Sequence, residues 1–164
     1  MKIYSIDAFG ARGDDRTDNT AFIQTAIDRC SSTGGGRVVL PSGVYRAGTL
    51  ELKSRVDLHL EEGAVLKAIR DEERFPEIPS MLVRDGCSEN PNEEKKGYAF
   101  VYAYRAHDIR LSGDGTIDVD GAWFQGRLTR PFLLRIIDST SVSIEGLVFR
   151  QAAAWCCHVQ RCRD

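Results

Sequence analysis

The end of the chain holds side chains that could bind a metal or a ligand. Trp155-Cys156-Cys157-His158 is followed by Cys162. Thiolates and an imidazole are the usual ligands of structural zinc. Adjacent residues of a strand point to opposite faces, however, so Cys156 and Cys157 do not fit one tetrahedral site. We expect no metal here, and His158 and Trp155 remain as candidates for contact with a ligand.

Three acidic residues form a second candidate cluster. Asp114, Asp118 and Asp120 lie close together in a glycine-containing segment. A calcium site needs oxygen ligands at defined alternating positions and a final bidentate glutamate, and this spacing does not provide them. We therefore interpret the three aspartates as solvated turn residues.

Two further motifs could suggest catalysis or a cofactor. Glu61-Glu62 is a carboxylate pair, but it directly precedes Gly63 at the predicted end of a strand, which favours a turn. Gly113-x-Gly115 lacks the third glycine and the following helix of a dinucleotide-binding motif. The sequence therefore predicts no cofactor.

Composition indicates an ordinary globular domain. The 164 residues are 42% hydrophobic and 28% charged, with a formal net charge of −2. No basic face or interleaved aromatic run indicates nucleic acid as a partner.

No apolar stretch is long enough to span a membrane, and no signal peptide is visible, so we expect a cytoplasmic protein, or a secreted one if a native signal was removed. The five cysteines are an odd number, and we expect free thiols, mostly buried.

One helix is predicted, near residues 19 to 31. The segment Thr17-Asp18-Asn19-Thr20 can cap its start, and apolar residues recur at helical spacing as far as Cys30. Three glycines at 34–36 end it. Short aliphatic runs separated by turns follow, which predict strands at Arg37–Leu40, Thr49–Leu52, Val56–Leu60 and Ala64–Lys67.

A unit of strand, glycine turn and second strand then recurs. Its copies begin at Arg55, Asp108 and Ser141, and loop insertions near 70–97 and 119–130 account for the uneven spacing. This repetition predicts an all-β fold, a right-handed parallel β-helix in which the helix covers the first coil. We expect one incomplete domain over 1–164, with an N-terminal cap at 1–36 and the first coils at 37–164. The last coil has no cap, so we expect the sequence to continue beyond Asp164, and end-to-end association of two copies stays open.

The order of several motifs resembles one known family. Residues 7–28 read DAFGARGDDRTDNTAFIQTAID and resemble the opening of pectate lyase superfamily proteins. Residues 34–68, 107–124 and 130–159 are similar to successive blocks of family 28 glycoside hydrolases, the polygalacturonases.

The resemblance implies an activity. It implies metal-independent, inverting hydrolysis of α-linked galacturonic acid or related pectic sugars, with a pectic poly- or oligosaccharide as the partner. The family's catalytic carboxylates occur in Asn-Thr-Asp and Asp-Asp motifs, accompanied by Gly-His-Gly and Arg-Ile-Lys. None of these motifs is present, so we expect no catalytic residue in this chain and place the catalytic motifs downstream of Asp164.

The resemblance also implies a substrate-binding role for two residues. Trp155 and His158 match the family's Trp-x-x-His motif, in which the histidine could bond a sugar hydroxyl or carboxylate. The family's preceding Asn-Ser-Pro is replaced here by Gln151-Ala152-Ala153. The alternatives are a core tryptophan and a packed histidine satisfied by a neighbouring coil. The segment 84–96 is expected to be a loop that could wall one end of the groove.

Two other functions remain open. The chain could be a non-catalytic β-helix that binds carbohydrate or assembles with copies of itself. It could also belong to a pectate lyase, an epimerase or a tailspike-type depolymerase, because the opening at residues 7–28 is common to the whole superfamily.

Overall fold

A computed structural model describes residues 1–78 and 97–164. It contains one α-helix, α1 (Thr20–Ser32), and short 3₁₀ turns at Ile6–Phe9 and Glu72–Arg74 within the described ranges. The strands in chain order are β1 (Ile3–Ser5), β2 (Asp14–Asp18), β3 (Gly36–Leu40), β4 (Gly43–Ala47), β5 (Leu50–Leu52), β6 (Val56–Leu60), β7 (Ala64–Ala68), β8 (Ala99–Tyr104), β9 (His107–Gly113), β10 (Thr116–Asp118), β11 (Phe132–Ile137), β12 (Thr140–Ile144), β13 (Val148–Arg150) and β14 (Cys157–Gln160).

The strands form three parallel sheets that run along one stack of coils. Sheet A has the order β1-β3-β6-β9-β12, sheet B the order β2-β4-β7-β10-β13, and sheet C the order β5-β8-β11-β14. Every pairing is parallel. The chain therefore passes from A to B to C in each coil, and the parallel β-helix predicted from the sequence is confirmed. The repeat differs in one respect, because each full coil has three strands and not two.

The core is the apolar interior of this stack. In β5, Leu50 and Leu52 are buried while Glu51 between them is partly exposed, so the strand turns its leucines inward. The same alternation in β6 and β7 buries Leu58 and Leu66 completely. Inward-facing side chains of successive coils stack in register, and this produces one continuous core.

Helix α1 lies where a preceding strand of sheet C would otherwise pair with β5. Its apolar face, which includes Ile23 and Ile27, is completely buried in the core. On its edge, Gln24 donates from Nε2 to the carbonyl of Glu51 at 3.0 Å and accepts from the amide of Glu51 at 2.9 Å. The side-chain amide thus makes both hydrogen bonds that a neighbouring strand would make, and the helix covers the first coil as predicted.

The segment before residue 37 contains two strands in addition to the helix. Strand β1 pairs with β3, and β2 pairs with β4, so the N-terminal residues also extend sheets A and B. The division into a cap at 1–36 and coils from 37 onward stays a prediction.

The interpretation of the acidic cluster as solvated turn residues is wrong for two of its three members. Asp118 is completely buried, and it accepts the amide of Asp120 at 2.8 Å and Nη2 of Arg150 at 3.0 Å. Asp120 is 7% exposed and pairs with Nε of Arg70 at 2.8 Å. Stacking of coils brings arginines from neighbouring coils onto these carboxylates, which the linear spacing did not reveal. Asp114 is exposed as expected.

At the other end of the stack, the last coil presents apolar side chains. Ile144 and Val159 are 38% and 52% exposed, although their register partners in the preceding coil, Leu111 and Ile136, are buried in the core. Beyond β14, Arg163 forms a parallel bridge with Thr140 and so lies beside sheet A. End-to-end pairing of two copies through this face stays a prediction.

Candidate functional site

A column of polar side chains runs across the outer face of sheet C. In the strand register, Glu51 of β5 lies opposite Tyr102 of β8, Tyr102 opposite Arg135 of β11, and Arg135 opposite His158 of β14. Residues in register on parallel strands share a face of the sheet. The neighbours Leu50 and Leu52 point into the core, so the column faces outward.

Aromatic rings surround the last members of this column. The Phe132 and Trp155 rings are stacked, with centroids 6.1 Å apart and planes inclined by 23°. His158 meets both rings edge-on at 5.5 Å. The guanidinium carbon of Arg135 lies 5.0 Å from the centre of the Phe132 ring, within the range of a cation–π contact. Four residues thus form one aromatic and cationic cluster on sheet C.

The structure brings together the two site residues predicted from the sequence. The alternative in which Trp155 belongs to the core is wrong, because its side chain is 64% exposed and contacts Phe132 and His158 on the outer surface. His158 is partly buried, and its Nδ1 finds no partner in the described part of the chain. The alternative of a packed histidine satisfied by a neighbouring coil therefore fails for that atom.

Buried polar atoms without a hydrogen-bond partner are concentrated at this place. Within residues 1–78 and 97–164 they are Nε and Nη2 of Arg135, Nδ1 of His158 and Oε1 of Gln160. All of them belong to β11 and β14, the two adjacent strands of sheet C. Buried polar groups in native proteins are almost always paired, so unpaired ones mark a place where a partner from outside these residues can bind.

The electrostatics of the column follow from burial and neighbouring charge. Burial lowers the pKa of the Arg135 guanidinium. Burial, and then the positive charge of Arg135, lower the pKa of His158, which favours a neutral imidazole. At the other end, burial, the charge of Glu51 and a hydrogen bond to its carboxylate raise the pKa of Tyr102 to about 12.

A shallow pocket of about 230 Å³ continues the column toward α1. Glu51, Lys53 and Tyr102 line it together with Gln24 and Pro76. The Glu51 carboxylate forms an ion pair with Nζ of Lys53, so it is engaged on both sides. The outer face of sheet C therefore presents an extended surface strip. One end carries the polar residues Glu51, Lys53 and Tyr102, and the other end carries the exposed Trp155.

Reasoning from the sequence missed Tyr102, Arg135 and Phe132. The signal for Arg135 was present, because a charged residue interrupts the aliphatic run of β11 (FLLRII). Its significance depends on the register with β8 and β14, which the sequence does not give directly.

A second polar cluster on sheet A was also missed. The Ser112 hydroxyl donates to Oδ1 of Asp57 at 2.6 Å and lies 2.8 Å from Nδ1 of His59. Nε of Arg37 donates to the other oxygen of Asp57 at 2.7 Å. Ser112 donates its proton to Asp57 and not to His59, so His59 does not act as a base that would activate Ser112 as a nucleophile. The cluster ties three coils together.

The remaining candidates from the sequence have different positions. Glu61 and Glu62 are exposed in the turn between β6 and β7. No group of three potential ligands suits a metal ion in the described ranges. Cys30 is buried, but Cys156 and Cys157 are exposed, so the expectation of mostly buried thiols is wrong at the last coil. The loop at 84–96 that was expected to wall the groove lies outside the described residues.

None of the helices in the described ranges has the length and apolar character needed to cross a membrane.

Comparison with known proteins identifies the relatives of this chain. Residues 3–60 match the family model Rhamnogalacturonase A/epimerase, pectate lyase-like. An exo-poly-alpha-D-galacturonosidase of Dickeya chrysanthemi is 31% identical over 93% of this chain and 26% of its own length. Mannuronan C5-epimerase AlgE5 of Azotobacter vinelandii is 46% identical over 75% of this chain and 12% of its own length. The chain spans only 33% and 26% of the first two curated relatives that it matches.

A solved structure gives more complete coverage. A candidate glycosyl hydrolase from Parabacteroides merdae is 30% identical, with a TM-score of 0.82, over 98% of this chain and 70% of that protein. The three-sheet parallel β-helix, the family model and these relatives agree. The chain therefore belongs to the pectate lyase-like superfamily of parallel β-helix proteins, within its polygalacturonase-like group.

Proposed function

We propose that this chain forms the first coils of a glycoside hydrolase that acts on α-linked galacturonic acid or related pectic sugars. The outer face of sheet C is the surface that binds the sugar chain. One observation carries this assignment: Arg135, His158 and Gln160 have buried polar atoms without a hydrogen-bond partner in the described part of the chain, and these atoms lie together on β11 and β14, close to the exposed ring of Trp155.

This surface has the properties that a carbohydrate requires. Sugars present hydroxyl groups at their edges and apolar C–H faces, so binding surfaces combine hydrogen-bonding groups with exposed aromatic rings. Trp155 provides an exposed ring for the apolar face, and Nδ1 of His158 provides an unpaired hydrogen-bonding atom. These are the two residues that the family resemblance assigns to substrate binding.

The catalytic carboxylates belong, in this proposal, to coils that follow Asp164. In the described part of the chain, the column on sheet C carries one carboxylate, Glu51, and this is already engaged by Lys53 and Tyr102. An inverting glycosidase needs an acid and a base about 6.5–9.5 Å apart. Strands of successive coils are about 4.8 Å apart, so carboxylates on nearby coils of the same sheet can reach that separation.

A second candidate function is epimerisation of a uronic acid polymer. The observation that favours it is the 46% identity to mannuronan C5-epimerase AlgE5 over 75% of this chain. That relationship covers 12% of the epimerase, whereas both the galacturonosidase and the candidate glycosyl hydrolase align over more than nine tenths of this chain. Hydrolysis is therefore the better supported of the two.

The products formed from polygalacturonate distinguish these functions. The protein extended through the sequence that follows Asp164 in the same open reading frame should release reducing ends without unsaturated sugars. Unsaturated products would indicate a lyase, and a change in uronate composition without cleavage would indicate an epimerase. The 164-residue chain alone should release nothing, and hydrolysis by it would contradict the downstream position of the carboxylates.

A further inference from the structure

The guanidinium of Arg135 is a buried cation without an anion among the described residues. Arg135 is 1% exposed, and its Nε and Nη2 atoms have no hydrogen-bond partner there. A guanidinium carries five N–H donors in a rigid plane and stays charged in proteins. A buried charge is costly unless it is paired, so Arg135 is suited to an anion that comes from elsewhere.

The neighbours of Arg135 within residues 1–78 and 97–164 do not provide that anion. Phe132 faces it with an aromatic ring, and its two register partners are Tyr102 and His158. The carboxylate of the same column, Glu51, lies beyond Tyr102 and pairs with Lys53. Arg135 therefore faces a tyrosine, a histidine and an aromatic ring, none of which carries a formal negative charge at neutral pH.

The geometry and charge of the Arg135 guanidinium indicate which chemical group it would bind. The planar fork of arginine matches a carboxylate, which it can bind through two parallel hydrogen bonds. Among the described residues of the column, Arg135 is the one cation, since the lowered pKa of His158 favours a neutral imidazole. A single compensating negative charge is therefore expected, and the unpaired Nδ1 of His158 is available for a neutral group of the same ligand.

We propose that Arg135 binds the carboxylate of one uronic acid unit, while His158 contacts a hydroxyl of the same sugar and Trp155 covers its apolar face. This inference rests on the proposed function and adds a specificity determinant to it. A methyl-esterified or neutral sugar cannot form the charged pair, so the surface should discriminate between acidic and esterified pectic chains.

Calorimetric titration with two ligands tests this discrimination. The wild-type protein should bind unesterified oligogalacturonate about ten- to a hundredfold more tightly than the methyl ester of the same length, as expected for hydrogen bonds to a charged group. Arg135→Gln should abolish that preference. The matched control is Arg110→Gln on sheet A, where the arginine pairs with Glu145 and not with the column, and it should retain the preference.

The outcomes separate this inference from the proposed function. If the wild type binds both ligands equally and Arg135→Gln changes nothing, the role of Arg135 is wrong, although sugar binding on sheet C stands. If the wild type binds neither ligand, both proposals fail.

A measurement without sugar tests whether a carboxylate of the protein itself already pairs with Arg135. Arg135→Met removes the charge but keeps a long side chain, so its unfolding temperature should equal or exceed that of the wild type. A loss of unfolding temperature larger than the lost contact with the Phe132 ring can explain would reveal an internal ion pair and overturn the proposal.

Discussion

His158 lies directly opposite Arg135 in the register of β14 and β11, and both side chains belong to the outer face of sheet C. Burial of the imidazole and, to a smaller extent, the positive charge of Arg135 lower the pKa of His158 and favour its neutral form. His158, which the family motif assigns to sugar contact, thus has a pKa that depends in part on Arg135, a residue outside the motif.

The lowered pKa of His158 predicts how stability depends on pH. The unfolded state binds a proton near the usual histidine pKa of 6.5, while the folded state binds it only at lower pH. His158 therefore contributes stability above about pH 6.5 that is lost as the pH falls toward the folded-state pKa. We expect urea unfolding to show that the free energy of unfolding falls more steeply with decreasing pH in the wild type than in the His158→Gln variant. Equal slopes would contradict the prediction.

The contact between Gln24 and Glu51 predicts a measurable contribution of the helix to the first coil. Gln24→Ala removes two hydrogen bonds to the backbone of β5 and should lower the free energy of unfolding by about 1–2 kcal/mol. Gln125→Ala, at an exposed turn after β10, should change it by less than about 0.5 kcal/mol. Denaturant unfolding measures both, and a similar effect of the two substitutions would argue against the edge-capping role.

The buried carboxylate of Asp118 predicts a second difference in stability. Asp118→Asn keeps an oxygen for the amide of Asp120 but loses the charged bond from Arg150, which should cost about 1–3 kcal/mol. Asp114→Asn is the same chemical change at an exposed position and should be nearly neutral. Thermal unfolding of both variants at neutral pH checks this, and an unaffected Asp118→Asn variant would show that the pair is unimportant.

The close approach of two coils at Gly113 predicts a steric requirement. A Cβ atom at Gly113 would lie 2.0 Å from the carbonyl oxygen of Leu60, and the residue has a φ of 109°. Gly126 also has a positive φ, 78°, but nothing lies within 4 Å of the place that a Cβ atom would occupy there. Gly113→Ala should therefore cost more than about 3 kcal/mol or prevent folding, while Gly126→Ala should cost about 1 kcal/mol. Denaturant unfolding compares the two variants, and comparable stabilities would contradict the packing of the two coils.

Local sequence patterns predicted much of the fold. The alternation in Val56–Leu60, the glycine turn after it and the helical spacing before Cys30 reflect interactions within single elements. The third strand of the first full coil was predicted, as Thr49–Leu52, but β8 and β11 were harder to recognise, because the insertions before them separate them from the repeated pair.

The candidate site was only half predictable, for a related reason. Trp155 and His158 occur in one short motif, whereas Tyr102 and Arg135 reach the same surface from other coils. Their proximity depends on register between strands that are distant in sequence. The buried aspartates Asp118 and Asp120 were misinterpreted for the same reason, since their arginine partners come from neighbouring coils.

The most direct test of sugar binding on sheet C uses the two tryptophans of the chain as separate reporters. Trp123→Phe leaves only Trp155, which lies on the proposed surface, and Trp155→Phe leaves only Trp123, which packs against Phe124 and Arg127. Titration with oligogalacturonate should produce a saturable change in fluorescence in the Trp123→Phe variant and none in the Trp155→Phe variant. A change confined to Trp123, or no change in either variant, would contradict the assignment of sheet C as the sugar-binding surface.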